Sequence, residues 1–265
     1  MICCVNTALL KKVCRKAIIA AGKGVLNRAV DRPADEKPSD LVQATANLAG
    51  QQMAGVLREI LPVNPVNDDV FCSCYEIDGF TIVLVHLDGG EGYVYGLPNY
   101  ALGIAVTKKN EPVFAGVYNP YYNQLFFAEE GKSLKRNNQQ TSVNSIRSLH
   151  ESYLGLAYRG RYDERGSDIL NTFFRVMATP VRTMIPGSDL YGLSMVANGN
   201  LTAMVIGQPN YRRILPGLML VSHAGGKVTD LNGQKPDEFS EFVVATNGKV
   251  HNELLQHLGL AAETR

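Results

Sequence analysis

Five consecutive residues, Thr81-Ile-Val-Leu-Val85, are β-branched or apolar without alternation, and Asp88-Gly89-Gly90 follow closely. A strand with one wet face would alternate, so this one is predicted to be covered on both faces, inside a layered protein. Tyr100 to Val106 and Val113 to Tyr118 carry a similar pattern. The chain has 265 residues, 45% of them hydrophobic, which is enough apolar material to cover such strands. At this length roughly 70–75% of the unfolded surface is buried on folding. We expect one compact unit over residues 1–265, with subregions of about 1–145 and 146–265.

The charges, 26 basic against 25 acidic for a net +1, exclude a disordered tail and give no basic excess for nonspecific nucleic-acid binding. Near the N-terminus the longest apolar run, Ala17 to Ala21, is bounded by Lys16 and Lys23. That is far short of the ~20 residues of a membrane span and too short for a signal-peptide core, so no membrane partner and a cytoplasmic location are expected. Cys3, Cys4, Cys14, Cys72 and Cys74 are an odd number, and neither Cys3-Cys4 nor Cys72-x-Cys74 has a zinc spacing, so free buried thiols are expected.

Asn6 or Thr7 can cap a helix carrying Leu10, Val13, Cys14, Ala17 and Ala21 on one face and ending near Gly24 to Asn27. Asp31 to Asp40 reads as an exposed loop, and a second helix should run from about Thr45 to Leu61, closed by Pro62. Tyr118 to Asn123 reads as a turn leading into a short strand, Leu125 to Ala128. Helices near Asp168 to Ala178 and Leu190 to Ala197 are interleaved with strands at Val181 to Met184, Ala203 to Ile206 and Phe242 to Thr246. The class is therefore mixed α/β, without internal repeats.

Several common motifs fail. Ala20-Ala-Gly-Lys-Gly24 lacks the framing of a P-loop, His150-Glu151 has no second histidine four residues on, and the five histidines form no ligand cluster. Gly187-Ser188-Asp189 lacks the spacing of a nucleophile elbow. What remains is the buried strand that ends on Asp88-Gly89-Gly90. Glycine amides can approach an anion closely and the acid can hold a cation, which makes a phosphate or metal corner; a tight turn with a capping aspartate has the same residues.

Five ordered blocks give this corner a context. Asp88-Gly89 with Gly96-Leu-Pro98 resembles Asp-Pro-Ile/Leu-Asp-Gly-Thr followed by Gly-x-Pro, and Asp40-Leu-Val-Gln-Ala-Thr-Ala46 resembles Asp-Leu-Val-Thr-x-Ala/Thr-Asp. Gly116-Val-Tyr-Asn-Pro120 with Gln124-Leu-Phe-Phe-Ala-Glu-Glu-Gly131 resembles Gly-Val-Val-Tyr-x-Pro…Glu-Leu-Phe-x-Ala-x-x-Gly. Gly187-Ser188 with Val196-Ala-x-Gly199, and Ala224-Gly-Gly-x-Val-Thr-Asp230, complete the set. Together they resemble the inositol monophosphatase family. The resemblance implies a layered αβαβα sandwich of the inositol monophosphatase and fructose bisphosphatase type, often a homodimer, that hydrolyses phosphate monoesters with Mg²⁺ and is frequently inhibited by Li⁺.

The family's metal ligands are only partly matched. By resemblance its Glu-Glu pair falls on Asp68-Asp69 and the second motif aspartate on Asp88, whereas the first falls on Val85, the motif proline on His86 and the motif threonine on Gly90. The Trp-Asp pair becomes Arg212-Arg213, the upstream aspartate becomes Ala46, and the acid that contacts an inositol hydroxyl becomes Ile206. Val85 offers Mg²⁺ no oxygen, and Arg213 would repel a cation at roughly 4 Å by ~1 kcal/mol in water and by several in a cleft.

Mg²⁺ binding is therefore expected to be weak or absent. Two functions follow from the resemblance. One is a non-catalytic, phosphate-binding or regulatory homologue in which Gly89, Gly90, Arg213, Gly187 and Ser188, with Arg212, hold a small phosphorylated ligand, and Arg213 pairs with Asp88. The other is an active phosphatase with a rearranged carboxylate set, Asp68, Asp69 and Asp88, helped by Glu76, Asp78 or Glu91.

Overall fold

The run at 81–85 lies within β3 (Phe80–Asp88), where every residue except Thr81 is buried. A computed structural model describes residues 6–30, 36–158, 164–177 and 181–259. Ile82 and Leu84 of β3 enter one apolar cluster and Val83 and Val85 enter another, which is why the sequence does not alternate. β3 belongs to an eight-stranded antiparallel sheet in sequential order. Its members are β1 (Asn64–Asp68), β2 (Cys72–Ile77), β3, β4 (Ala101–Lys108), β5 (Glu111–Asn119), β6 (Gln124–Glu129), β7 (Lys135–Arg136) and β8 (Gln139–Gln140). Three joints are two-residue turns with both φ positive, Asp78-Gly79, Lys109-Asn110 and Asn137-Asn138, as tight hairpins require.

The second sheet has the order β10-β9-β11-β13-β12, built from β9 (Tyr153–Tyr158), β10 (Arg182–Met184), β11 (Ala203–Gly207), β12 (Lys227–Thr229) and β13 (Phe242–Thr246). Helices α1 (Thr7–Val30) and α2 (Pro38–Ile60) cover the outer face of the first sheet, with Leu10, Ile18, Met53 and Leu57 against Ile82, Leu84 and Ile104. Helices α5 (Asp189–Ala197) and α6 (Tyr211–His223) lie between the sheets, where Leu193 and Leu220 share a cluster with Val85, Val117, Ile206 and Val243. Helices α4 (Glu164–Met177) and α7 (His251–Gly259) cover the far face through Phe173 and Leu254. The order of layers is αβαβα, as expected from the motifs. No described helix is long and apolar enough to cross a membrane.

Three helix starts or ends differ from the sequence expectation; α4 begins at Glu164 and not near Asp168, and Ala178 lies outside the described residues. α1 continues past Gly24 to Val30 because its glycines serve close packing; a Cβ on Gly22 would lie 2.3 Å from the Tyr118 ring. α2 begins at Pro38 and not near Thr45, since proline suits the first helical position and Asp40 sits in the positively polarised first turn. The expected loop at 31–40 is thus helical from Pro38, and its residues 31–35 lie outside the described residues.

Candidate functional site

The site begins with an irregularity in β3. Its register against β4 shifts between Val85, opposite Gly103, and Asp88, opposite Ala101, so three steps on one strand match two on the other. Such a bulge reverses the parity of the pleat. Val85 and Asp88 consequently both face α5 and α6, whereas His86 turns toward α2 and packs on Gly50, where a Cβ would come within 2.6 Å of its ring.

Asp88 is buried, and its Oδ2 accepts hydrogen bonds from Ser188 Oγ at 2.6 Å and from the Leu190 amide at 2.9 Å. Ser188 also caps α5, its Oγ accepting from the Tyr191 amide at 3.1 Å. The hydroxyl placed with the phosphate residues in the sequence thus anchors Asp88 and the helix start, and Gly187 beside it is exposed with a left-handed φ of 78°. Gly89 also has a positive φ, 82°, and a Cβ there would meet the Asn99 carbonyl oxygen at 2.3 Å. Gly90 opens the short helix α3 (Gly90–Val94) against Val42. Both glycines make tight backbone packing beside the acid.

Asp68 and Asp69 end the β1 strand and start the turn into β2. Asp69 Oδ1 accepts from the amides of Phe71 at 2.7 Å and Cys72 at 2.9 Å, so this carboxylate shapes the turn. Asp68 is exposed and borders a separate crevice of 150 Å³ on the α2 side, together with Ser73 and His86. There His86 Nδ1 is 3.0 Å from the Val70 carbonyl, which can only accept, and Nε2 is 2.8 Å from Ser73 Oγ. The partners assign the proton to Nδ1 and make Ser73 the donor to Nε2. Burial, first among the causes, holds the His86 pKa below the usual histidine value.

α6 brings the arginines. Asn210 Oδ1 accepts from the Arg213 amide at 3.3 Å and caps the helix, and Pro216 further along cannot donate to the Arg212 carbonyl. The Arg213 guanidinium lies over the Phe71 ring at 4.7 Å from its centroid, and its buried Nε has no hydrogen-bond partner. Among the described residues Arg213 forms no ion pair with Asp88, contrary to the expectation, because Asp88 is held by α5 and Arg213 by the 69–72 turn. The two still face one cavity of 730 Å³, whose walls include Asp69, Cys72, Cys74, Asp88, Arg212 and Arg213. Among the described residues no three His, Cys, Asp or Glu side chains are grouped to hold a metal ion.

Gly89, Gly90, Gly187, Ser188 and Asp68 are not among the residues lining this cavity, and Glu76, Asp78 and Glu91 are not either. Cys72, Cys74, Asp189 and Phe71 were not singled out from the sequence as site residues. For the cysteines the signal was present, since a Cys-x-Cys spacing in a strand points both thiols to one face. Cys14, Cys72 and Cys74 are buried free thiols as expected, and Cys3 and Cys4 lie outside the described residues.

Two sheets interleaved with three helical layers, and a buried strand-end aspartate that shares a polar cavity with the start of α6, define a layered αβαβα protein with its cleft at the end of β3. The pattern of the inositol monophosphatase family matches residues 5–262, and the chain belongs to that family. A fructose-1,6-bisphosphatase/inositol-1-monophosphatase of Thermotoga maritima is 30% identical over 171 residues, a match spanning 64% of this chain and 64% of that protein. The Nus factor SuhB of Pseudomonas aeruginosa is 26% identical over 228 residues, 83% of each chain. The solved structure of an inositol monophosphatase from Anabaena superposes with a TM-score of 0.83 at 20% identity, covering 97% of both chains, which shows the shared fold.

Proposed function

We propose that this chain is a binding member of the inositol monophosphatase family, whose cleft holds a small phosphorylated ligand on Arg212 and Arg213 and whose metal-dependent hydrolysis is lost or strongly reduced. The observation that carries this is Arg213 itself: a half-buried guanidinium facing the cavity, with a buried N–H left without an acceptor. A phosphate oxygen is the kind of acceptor that a guanidinium fork takes well. Among the described residues neither Asp69 nor Asp88 forms an ion pair with Arg213, and Asp69 is bonded to two amides of its own turn.

The donors present do not fit the magnesium centre that the family implies. Mg²⁺ asks for oxygens in near-octahedral array. Position 85 contributes a wholly buried valine in an apolar cluster, position 46 a wholly buried alanine, and position 213 a cation. The homodimer suggested by the resemblance is part of the same proposal, to be checked by sedimentation.

The test is calorimetric titration of the full chain with inorganic phosphate and with a panel of inositol and sugar phosphates, alongside a phosphate-release assay with Mg²⁺. Arg213→Ala should weaken binding about 10- to 100-fold, the loss of one or two charge-assisted hydrogen bonds. Mg²⁺-dependent phosphate release by the unaltered chain that Asp88→Asn abolishes would show the alternative, a rearranged carboxylate set at work.

A further inference from the structure

A second hollow lies away from the Arg213 cavity. It has a volume of 390 Å³ and runs between the first half of α1 and the β6–β8 edge of the eight-stranded sheet. Leu125 and Phe127 make its floor, alternate residues of β6 that point to one face. That face carries the apolar cluster under α1 and α2, whereas Cys72 and Cys74 of the Arg213 cavity belong to the cluster on the side of α5 and α6, so the two hollows open on opposite faces of the sheet. The Phe127 ring is fixed in place. It stacks on Phe114 at 5.6 Å between centroids and crosses its strand partner Gly116, where a Cβ would come within 3.3 Å of the ring.

The walls are basic. Lys11, Lys12 and Arg15 come from α1, and Lys132 and Lys135 face them from the strand side. Glu129, the one carboxylate in the lining, is taken at both oxygens, by Lys11 Nζ at 2.6 Å and by Lys132 Nζ at 2.8 Å. Arg15 reaches across to the neutral Asn138 Oδ1 at 2.9 Å. Among the described residues Lys12, Arg15 and Lys135 therefore have no carboxylate partner, and these three cations share one small hollow in a chain whose net charge is only +1. Like charges so placed repel one another and focus the field for an anion.

We propose that this hollow is a binding site for a nucleoside polyphosphate, with the phosphates between Lys12, Arg15 and Lys135 and the base on the floor of Leu125 and Phe127. A nucleotide combines the two properties that the lining asks for, several negative charges and a flat face that stacks on an aromatic ring. Small-molecule pockets of roughly 300–1,000 Å³ have this make-up of apolar floor and few polar groups. Inorganic phosphate would satisfy the cations and leave the floor uncovered, and a fatty acid would cover the floor but bring one charge to three cations. The site is independent of the Arg213 cavity, so either reading can fail alone.

The experiment is calorimetric titration of the full chain carrying Arg213→Ala, which weakens the other cavity, with ATP in the absence of divalent metal, and with inorganic tripolyphosphate and adenosine as separate arms. We expect one saturable ATP site that weakens at least about tenfold when Lys12→Ala and Lys135→Ala are added together, and that weakens further with rising salt. Adenosine alone should bind at least about tenfold more weakly than ATP, its phosphate contacts being absent. Phe127→Leu should weaken ATP at least about fivefold and leave tripolyphosphate within about twofold, a split that a merely electrostatic patch does not give. Melting curves without ligand should not fall for the two lysine substitutions, since both side chains are exposed. ATP binding that survives those substitutions, an equal response of ATP and tripolyphosphate to Phe127→Leu, or no saturation by about 1 mM ATP would overturn the proposal.

Discussion

Ser188 joins parts of the chain that are distant in sequence, and removing its hydroxyl tests how the site is held. In Ser188→Ala, α5 loses its side-chain cap on the Tyr191 amide, which costs about 1 kcal/mol. The buried Asp88 carboxylate also loses its 2.6 Å donor and keeps the Leu190 amide, which adds about 1.5–3 kcal/mol for a hydrogen bond to a charged group. The sum is about 2.5–4 kcal/mol, or a fall in Tm of roughly 4–8 °C for a chain of this size. Urea unfolding of the wild type, Ser188→Ala, Asp88→Asn and the double variant closes a cycle that isolates the pair, and a coupling of at least about 1 kcal/mol is expected. A loss near 1 kcal/mol for Ser188→Ala with coupling under about 0.5 kcal/mol would mean that the serine is only a helix cap, refuting the reasoning.

Three other outcomes are expected. His251 is buried between Thr229 and Thr246; the Thr229 hydroxyl donates to the Asp230 carbonyl and must accept from Nε2, so Nδ1 stays unprotonated and accepts from Thr246. Burial, then Lys227, lowers its pKa from 6.5 to about 4, so the unfolded chain binds a proton that the native one does not between these values. Stability should therefore be whole above about pH 6.5 and fall by on the order of 3 kcal/mol toward pH 4, and His251→Gln should remove that part of the slope in urea titrations at several pH values. His86 contributes with the same sign, which is why the readout is the difference between the two proteins. Gly50→Ala should destabilise by about 1–3 kcal/mol through its collision with the His86 ring, and His86→Ala should relieve most of that extra loss; equal stability of wild type and Gly50→Ala would contradict the packing. Val85→Asp and Arg213→Asp, alone, should yield no Mg²⁺-dependent phosphate release, the first adding a carboxylate beside a repelling arginine and the second leaving an apolar wall; activity in either one would show a misassigned site.

The sandwich was legible in the sequence because its central strands are buried on both faces, so Thr81 to Val85 and Ala101 to Val106 carry an unbroken apolar signal. β2 was not, since Cys-Ser-Cys-Tyr-Glu-Ile mixes small polar residues that find buried partners only after folding, such as Ser73 with His86. Its Asp78-Gly79 hairpin turn was the available clue. α6 was hidden by Pro216, which reads as a helix breaker yet sits on Gly103 of β4. Asp88 could be named from its strand end, whereas its bond to Ser188 and the seat of Arg213 on Phe71 depend on elements brought together from opposite ends of the fold.

The changes at the family's ligand positions are physically consistent with one another. A carboxylate at position 85 would stand on β3 between Cys72 and Gly103, facing the apolar layer under α6, where only a bound cation makes such a charge tolerable. Valine removes that need. Asp88, retained, obtains its compensation from Ser188 and the start of α5, so Arg213 is not drawn into an ion pair and rests on Phe71. On the function proposed above, the cleft's counter-charge for an anion has moved from a metal to a guanidinium. A guanidinium binds phosphate oxygens with a fixed fork, but its pKa above 12 prevents it from generating hydroxide from a bound water as a divalent metal does. Recognition and hydrolysis, coupled through one ion in a metal-dependent phosphatase, then become separable in this cleft, and affinity for phosphate esters without turnover is the property that its charges favour.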